Sequence, residues 1–242
     1  MTSILVFLIS LISGFVITTT GFGYAVVMMA IMPMFFTVGM SNALTIVGAM
    51  PALMLSLYKC RKNIKIKKII YPLIFSCAAA VFGLVFDLGI SAGLYQVLLG
   101  ILMIFLSLWF LRFSERIHIP ATPLTGSLLG IISGICGALF AINGPPLVLY
   151  YNYASENKED YIACVQSLLF LQTTVNIITR SICGLWPDGM GSCLLPVLAG
   201  AALGVIPGKL LFDKIDSAKF KKMIYVFMCF AGAYFIYRGI VQ

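Results

Sequence analysis

Charge is scarce in this sequence: acidic and basic residues make up 10% of 242 positions and hydrophobic ones 61%, against roughly 25% charge in soluble domains. A water-soluble domain is excluded, because several apolar runs exceed the ~18 residues that mark a membrane-spanning helix. Histidine is scarcer still, with His118 alone in a polar stretch. That leaves no imidazole for intramembrane catalysis, and Gly130-Ile131-Ile132-Ser133-Gly134 misplaces its serine for a GxSxG elbow. No catalytic residues are expected. The seven cysteines include no CxxC pair, so neither a metal nor a cofactor is expected. Cys183 and Cys193 flank one loop and would pair only in an oxidising compartment; free thiols are the expectation. Carboxylates are missing from every apolar span, which removes any obvious side-chain proton relay. The start, Met1-Thr2-Ser3, lacks a basic n-region, so the first apolar segment is expected to be retained rather than cleaved.

What the chain does contain is a net charge of +8, confined to the joints between apolar runs. This is the distribution that the positive-inside rule produces, so the partner is a lipid bilayer and not nucleic acid. The most basic joint carries Lys59, Arg61, Lys62, Lys65, Lys67 and Lys68 without a carboxylate, and is expected in the cytoplasm. It could also meet anionic headgroups.

Taken in order, residues 3–19 form a short apolar piece that runs into Gly21-Phe22-Gly23, and 24–36 form a second short piece. Longer spans follow at 41–58, 69–86 and 93–111; Asp87 lies in the turn between the last two and reads as a solvated loop charge. A polar joint around Arg116, His118 and Pro120 closes the first half. The second half then replays the first at offsets of about 120: Ser133-Gly134 answers Ser13-Gly14, Asn143-Gly144-Pro145-Pro146 answers Gly21-Phe22-Gly23, Ala163 answers Ala43, and Gly204 answers Gly83. Internal duplication is the simplest explanation. The expected division is a first transmembrane repeat over 1–112, a cytoplasmic linker over 113–122 and a second repeat over 123–242.

Charge decides between two topologies. If each broken pair returns to the side it left, the joints at 59–68, 112–122, 154–160 and 209–222 share one side, with six, two, one and five cations. Only Arg180 and Arg238 then lie opposite. If each broken pair instead crosses once as a kinked helix, the split falls to 10 against 6. The first topology satisfies the positive-inside rule better. It counts five segments per copy, and an odd number inverts the second copy relative to the first. The expected fold is therefore an all-α polytopic membrane protein of two inverted repeats, each a broken or re-entrant helix pair followed by three transmembrane helices.

Inverted copies with Gly/Pro-interrupted segments at matching places are the pattern of a secondary transporter, with the site at the breaks near mid-membrane. Backbone left unpaired in lipid survives only where protein or a watery cavity satisfies it. The candidate substrate contacts are Gly21, Gly23 and Tyr24 at the first break and Asn143, Gly144, Pro145 and Pro146 at the second. The following spans add Asn42 and Thr45 in the first copy, and Gln166, Gln172, Asn176 and Arg180 in the second. A half-helix starting at a break presents free N–H groups, which suit an anion. The same amides could instead glue helices together, Arg180 could snorkel to headgroups rather than attract an anion, and a break could be a plain kink.

Ser13-Gly14 with its glycine-containing break, and Ser133-Gly134 leading to Asn143-Gly144-Pro145-Pro146-Leu147-Val148-Leu149-Tyr150, resemble the two glycine-rich signatures of the TauE/SafE sulfite exporter family of membrane permeases. The resemblance covers essentially the whole chain. It implies a multi-pass protein of the bacterial inner membrane that moves a small sulfur-containing anion such as sulfite or an organosulfonate, and it leaves a homo-oligomer open. The usual run of three glycines is replaced by Gly21-Phe22-Gly23-Tyr24 in one copy and by Asn143 with one glycine and two prolines in the other. A passive anion channel and a membrane assembly subunit are the competing readings.

Overall fold

Long apolar stretches with few internal charges can hide their backbone polarity from lipid only by coiling into helices, and all regular structure among the described residues is helical. The computed structural model describes residues 2–20, 23–85, 91–112, 120–211 and 217–241. Gly21, Asp87, His118 and most of the 113–122 joint lie outside them. The helices are α1 (Thr2–Thr20), α2 (Tyr24–Ile31), α3 (Val38–Cys60), α4 (Ile66–Val85), α5 (Ala92–Arg112), α6 (Pro123–Phe140), α7 (Gly144–Ala154), α8 (Lys158–Ile182), α9 (Gly191–Leu211) and α10 (Ser217–Val241). Six of them, α3, α4, α5, α6, α8 and α10, are long and apolar enough to cross a membrane. The chain is an all-α polytopic membrane protein.

Helix α1 ends at Thr20 and α2 begins at Tyr24, while α6 ends at Phe140 and α7 begins at Gly144. A short 3-10 turn, Met32–Met34, extends α2, but its 8 α-helical residues reach only about 12 Å, and the 11 residues of α7 about 17 Å, against a hydrocarbon core of about 30 Å. Neither can cross alone. Local chemistry sets the boundaries in the second half. The Thr122 hydroxyl accepts from the Thr125 N–H at 3.2 Å in a capping box, with Pro123 at the first helical position, where a missing N–H costs nothing. Asn157 caps α8 by accepting from the Asp160 N–H at 2.8 Å.

Contacts divide the chain into two units that do not follow the sequence halves. The first comprises Met1–Gly48, Leu88–Ile117 and Pro187–Gln242, and the second Ala49–Asp87 and His118–Trp186. Within the first unit α1 packs on α9, and within the second α6 packs on α4, which is the same pairing with the two copies exchanged.

Glycine makes both pairings close. In the second unit a Cβ on Gly130 would lie 2.6 Å from the Pro72 carbonyl oxygen, one on Gly134 would meet the Ser76 carbonyl and lie 2.8 Å from Ala79 Cβ, and one on Gly83 would approach Ala138. Numbers rise together along both helices, so α4 and α6 run parallel. In the first unit Gly14 faces Ala201, and Ser10 donates to the Val197 carbonyl at 2.6 Å, so α1 and α9 are parallel too. By contrast α5 and α10 cross antiparallel: Gly93 faces Gly239, Gly100 faces Gly232, and the Ser107 hydroxyl donates to the Tyr225 carbonyl. Gly93, Gly100 and Ser107 recur every seven residues, a spacing that keeps small side chains on one seam and lets backbones approach.

Candidate functional site

In the second unit α6 and α7 form a hairpin. Ala141 ends α6 in the left-handed region at φ 56° while its N–H still bonds Gly137 O, a conformation that costs an alanine roughly 1–2 kcal/mol. The chain then doubles back. The Ser133 hydroxyl donates to the Asn143 carbonyl at 2.8 Å, which brings the start of α7 down to a residue about 15 Å from one end of α6 and about 10 Å from the other. Farther along α7, Tyr150 lies against Gly126 and the Tyr151 hydroxyl donates to the Lys68 carbonyl at 3.2 Å. The hairpin thus opens its break near mid-depth and returns to the end at which α4 begins.

Charge fastens that return. Lys65 Nζ lies 2.8 Å from Glu156 and 3.4 Å from Asp160, and Lys68 Nζ lies 3.0 Å and 2.8 Å from the same two carboxylates. Hydrogen bonds from Lys65 and then Lys68 hold the Glu156 carboxyl below its usual range. Its contribution is therefore present above the ordinary carboxylate pKa and is lost only as pH falls through the lowered one. The joints at 59–68 and 154–160 consequently share one face, which a single kinked crossing through α6 and α7 would forbid. Cysteines placed at Lys65 and Glu156, in a chain otherwise free of cysteine, should be labelled from the same side of the membrane and joined by a short bifunctional reagent. Labelling from opposite sides would overturn the hairpin.

Helix α8 brings polar side chains to the break. Gln172, Asn176 and Arg180 recur every four residues and share a face. Gln172, fully buried, donates from Nε2 to the Ser133 carbonyl at 3.0 Å, and its Oε1 lies 3.2 Å from the Ser133 hydroxyl. The single hydroxyl proton serves the shorter bond to Asn143. Gly137 leaves the room for this arrangement: a Cβ there would lie 2.8 Å from Gln172 Nε2 and 3.0 Å from Asn143 Cβ. Arg180, 7% exposed, donates to the Ala138 carbonyl at 3.2 Å and to the Leu185 carbonyl at 3.4 Å. It does not snorkel to the surface; it caps the last turn of α6, where a cation complements the negative end of the helix dipole.

Asn143, Gln172 and Arg180 are thus brought to one hairpin, with Ser133 joining the first two, and Asn176 lies between Gln172 and Arg180 on their face of α8. Ser133 marks the repeat in the sequence without announcing a contact. Gly144, Pro145 and Pro146 are buried at the start of α7. Because proline has no N–H, the first turn of α7 offers the Gly144 amide and loses the next two donors, so this helix start is a poor anion cradle. Gln166 is buried but lies six residues before Gln172, rotated well away from its face.

In the first unit Gly23 precedes α2, whose first turn contains no proline and keeps its N–H groups. Tyr24, 1% exposed, shares a 2.8 Å bond with Ser10. Ser10 spends its proton on Val197, so the tyrosine is the donor. Asn42 and Thr45 are fully buried, and the Thr45 hydroxyl bonds back to the Ser41 carbonyl of its own helix at 2.6 Å. Arg238, near the end of α10, donates to the Pro33 and Met34 carbonyls at 3.3 and 3.2 Å, holding the 3-10 turn that follows α2. All seven cysteines are free thiols, Cys183 exposed and Cys193 buried.

A family model described as sulfite exporter TauE/SafE matches residues 6–235 of the chain. No curated protein matches it, and no solved structure does.

Proposed function

The chain belongs to the TauE/SafE sulfite exporter family, a family of membrane transporters rather than enzymes, and on that premise we propose that it is a secondary transporter. It moves a small anion, sulfite or an organosulfonate, across the bacterial inner membrane by alternating access between two inverted copies, residues 1–112 and 123–242 joined by a cytoplasmic linker. The observation that carries this reading is the buried polar cluster of Ser133, Asn143, Gln172, Asn176 and Arg180 at a break near mid-depth in otherwise apolar helices. Buried polarity is expensive in lipid and is retained where it lines a pathway.

Three features support the inverted arrangement. The two hairpins begin their second helices at Tyr24 and Gly144, 120 residues apart. The pairings α1 with α9 and α6 with α4 exchange the copies. The antiparallel crossing of α5 on α10 is what five segments per copy require, whereas four would make these two helices parallel. At the second break the proposed donors for the anion are the guanidinium of Arg180 and the side-chain amides of Asn143, Gln172 and Asn176; within the first unit, the start of α2 keeps the N–H groups of Tyr24, Ala25 and Val26. Gly23, Asn42 and Thr45 in the first unit and Gln166 in the second are further proposed contacts, as is Gly21, which lies outside the described residues.

Reconstituted protein should carry labelled sulfite into liposomes at a rate that saturates with concentration and responds to an imposed ion or pH gradient. Replacing Asn143 with alanine should lower that flux about tenfold at unchanged membrane yield, the loss of one or two hydrogen bonds. Flux that rises without saturation would mark a channel. An Asn143 variant that transports at the normal rate would remove the proposed site.

A further inference from the structure

Asn176 is 1% exposed, and its Oδ1 meets no hydrogen-bond donor among the described residues. It occupies the middle of the α8 face whose other members, Gln172 and Arg180, both reach into the hairpin. A buried amide oxygen without a donor is a standing cost, and such groups in folded proteins are explained by a ligand or water that completes them. The guanidinium one turn further along favours the oxygen end of the Asn176 amide on this face. An oxyanion without a proton can only accept hydrogen bonds, so it would pair with Arg180 and leave that oxygen orphaned. A ligand completing Asn176 has to donate.

We propose that Asn176 is a specificity-determining contact that selects a small, singly charged oxyanion still carrying a proton: the ligand hydroxyl donates to Oδ1, and a neighbouring oxygen of the same ligand accepts from Nδ2. This rests on the anion-transport reading and deepens it. Charge agrees with one negative charge rather than two. Arg180 is the single charged residue in α6, α7 and the part of α8 beyond Asp160, and one guanidinium neutralises a monoanion. The elements packed on α8 are α4, α6, α7 and the turn Arg61–Asn63. Their described charges, Arg61, Lys67 and Lys68, sit with Glu159 and Asp160 at the opposite end of α8, about 24 Å from Asn176 along the helix. Otherwise these elements bring the thiols Cys77 and Cys136 and the phenols Tyr71, Tyr150, Tyr151 and Tyr153, beside Tyr161 and Cys164 on α8 itself. With no carboxylate or imidazole there to relay a proton, the proton travels on the substrate.

The test compares two probes of equal charge and similar size at pH 6: hydrogen sulfite, which has a hydroxyl, and methanesulfonate, which has a methyl in its place. Dissociation constants are measured by calorimetry on the full-length protein in nanodiscs, for the wild type and for Asn176→Leu. The wild type should prefer hydrogen sulfite about tenfold, and the leucine variant should bind the two probes within about twofold of each other. Without any anion the variant should melt no lower than the wild type, since it removes an unsatisfied polar group. If leucine does not fold, Asn176→Ala takes its place with the same expected loss of preference. Equal affinity in the wild type, or a variant that keeps the preference, overturns the role of Asn176 and leaves anion transport standing. Failure of both probes to bind at millimolar concentration overturns the two together.

Discussion

Replacing Gly134 with leucine leaves little or no folded protein in the membrane. The α-carbon of Gly134 sits so close to α4 that even a Cβ would meet the Ser76 carbonyl and come within 2.8 Å of Ala79 Cβ and 3.0 Å of the Ala80 N. These are largely backbone atoms of a helix that cannot rotate out of the way. Three further carbons would have to separate α4 from α6, opening the seam that Gly130 and Gly83 also form. Overpacking of this kind costs about 3 kcal/mol or more, a large share of the stability of any domain. Fluorescence-detected size exclusion should show the monodisperse peak lost. Gly39 is the control: nothing lies within 4 Å of a Cβ there, and it sits inside α3. Gly39→Ala should therefore be neutral or raise the melting temperature slightly, because alanine loses less backbone freedom on folding. A Gly134→Leu protein that folds and melts like the wild type would mean that α4 and α6 do not touch as described.

Substituting Arg180 with glutamine should cut sulfite flux per folded molecule about thirtyfold, the equivalent of one lost charge-assisted hydrogen bond of about 2 kcal/mol. Two roles disappear together: the cap on the Ala138 carbonyl that holds the tip of the hairpin, and the positive charge beside the break. Arg180→Lys separates them. Lysine keeps the charge but cannot span the Ala138 and Leu185 carbonyls with a planar fork, so flux should fall less, by roughly three- to tenfold. Glutamine and lysine variants that both transport at the wild-type rate would reduce Arg180 to a structural residue.

Much of the fold was legible in the sequence because membrane insertion is governed by one-dimensional quantities. Length of apolar run, placement of lysine and arginine, and helix-breaking residues are all local; in the first half the described helix ends lie within five residues of the expected bounds, the largest shift being the end of 24–36 at Ile31. The 120-residue offset survives in the helix starts Tyr24 and Gly144. Residues of the proposed site were legible in part. Asn143, Gln172, Asn176 and Arg180 stood out as polarity in apolar surroundings, and the helical period sets Arg180 one turn past Asn176. What the period could not show was Ser133, an unremarkable serine until the chain folds back and sets Asn143 against it. Nor did it show that Thr45 bonds to its own helix, or that Pro145 and Pro146 weaken the helix start that the break seemed to provide.

The sequence by itself determined that this chain lives in a bilayer and roughly where its helices begin and end, since both follow from transfer free energies summed along the chain. Only the tertiary structure decided how the breaks are used. Asn143-Gly144-Pro145-Pro146 is the inner turn of a hairpin, pinned at its mouth by Ser133 and Gln172 and at its return end by Lys65, Lys68, Glu156 and Asp160. Those partners lie from 10 to 92 residues apart in the chain, and hydrogen bonds and ion pairs depend on distances in space that no local pattern encodes.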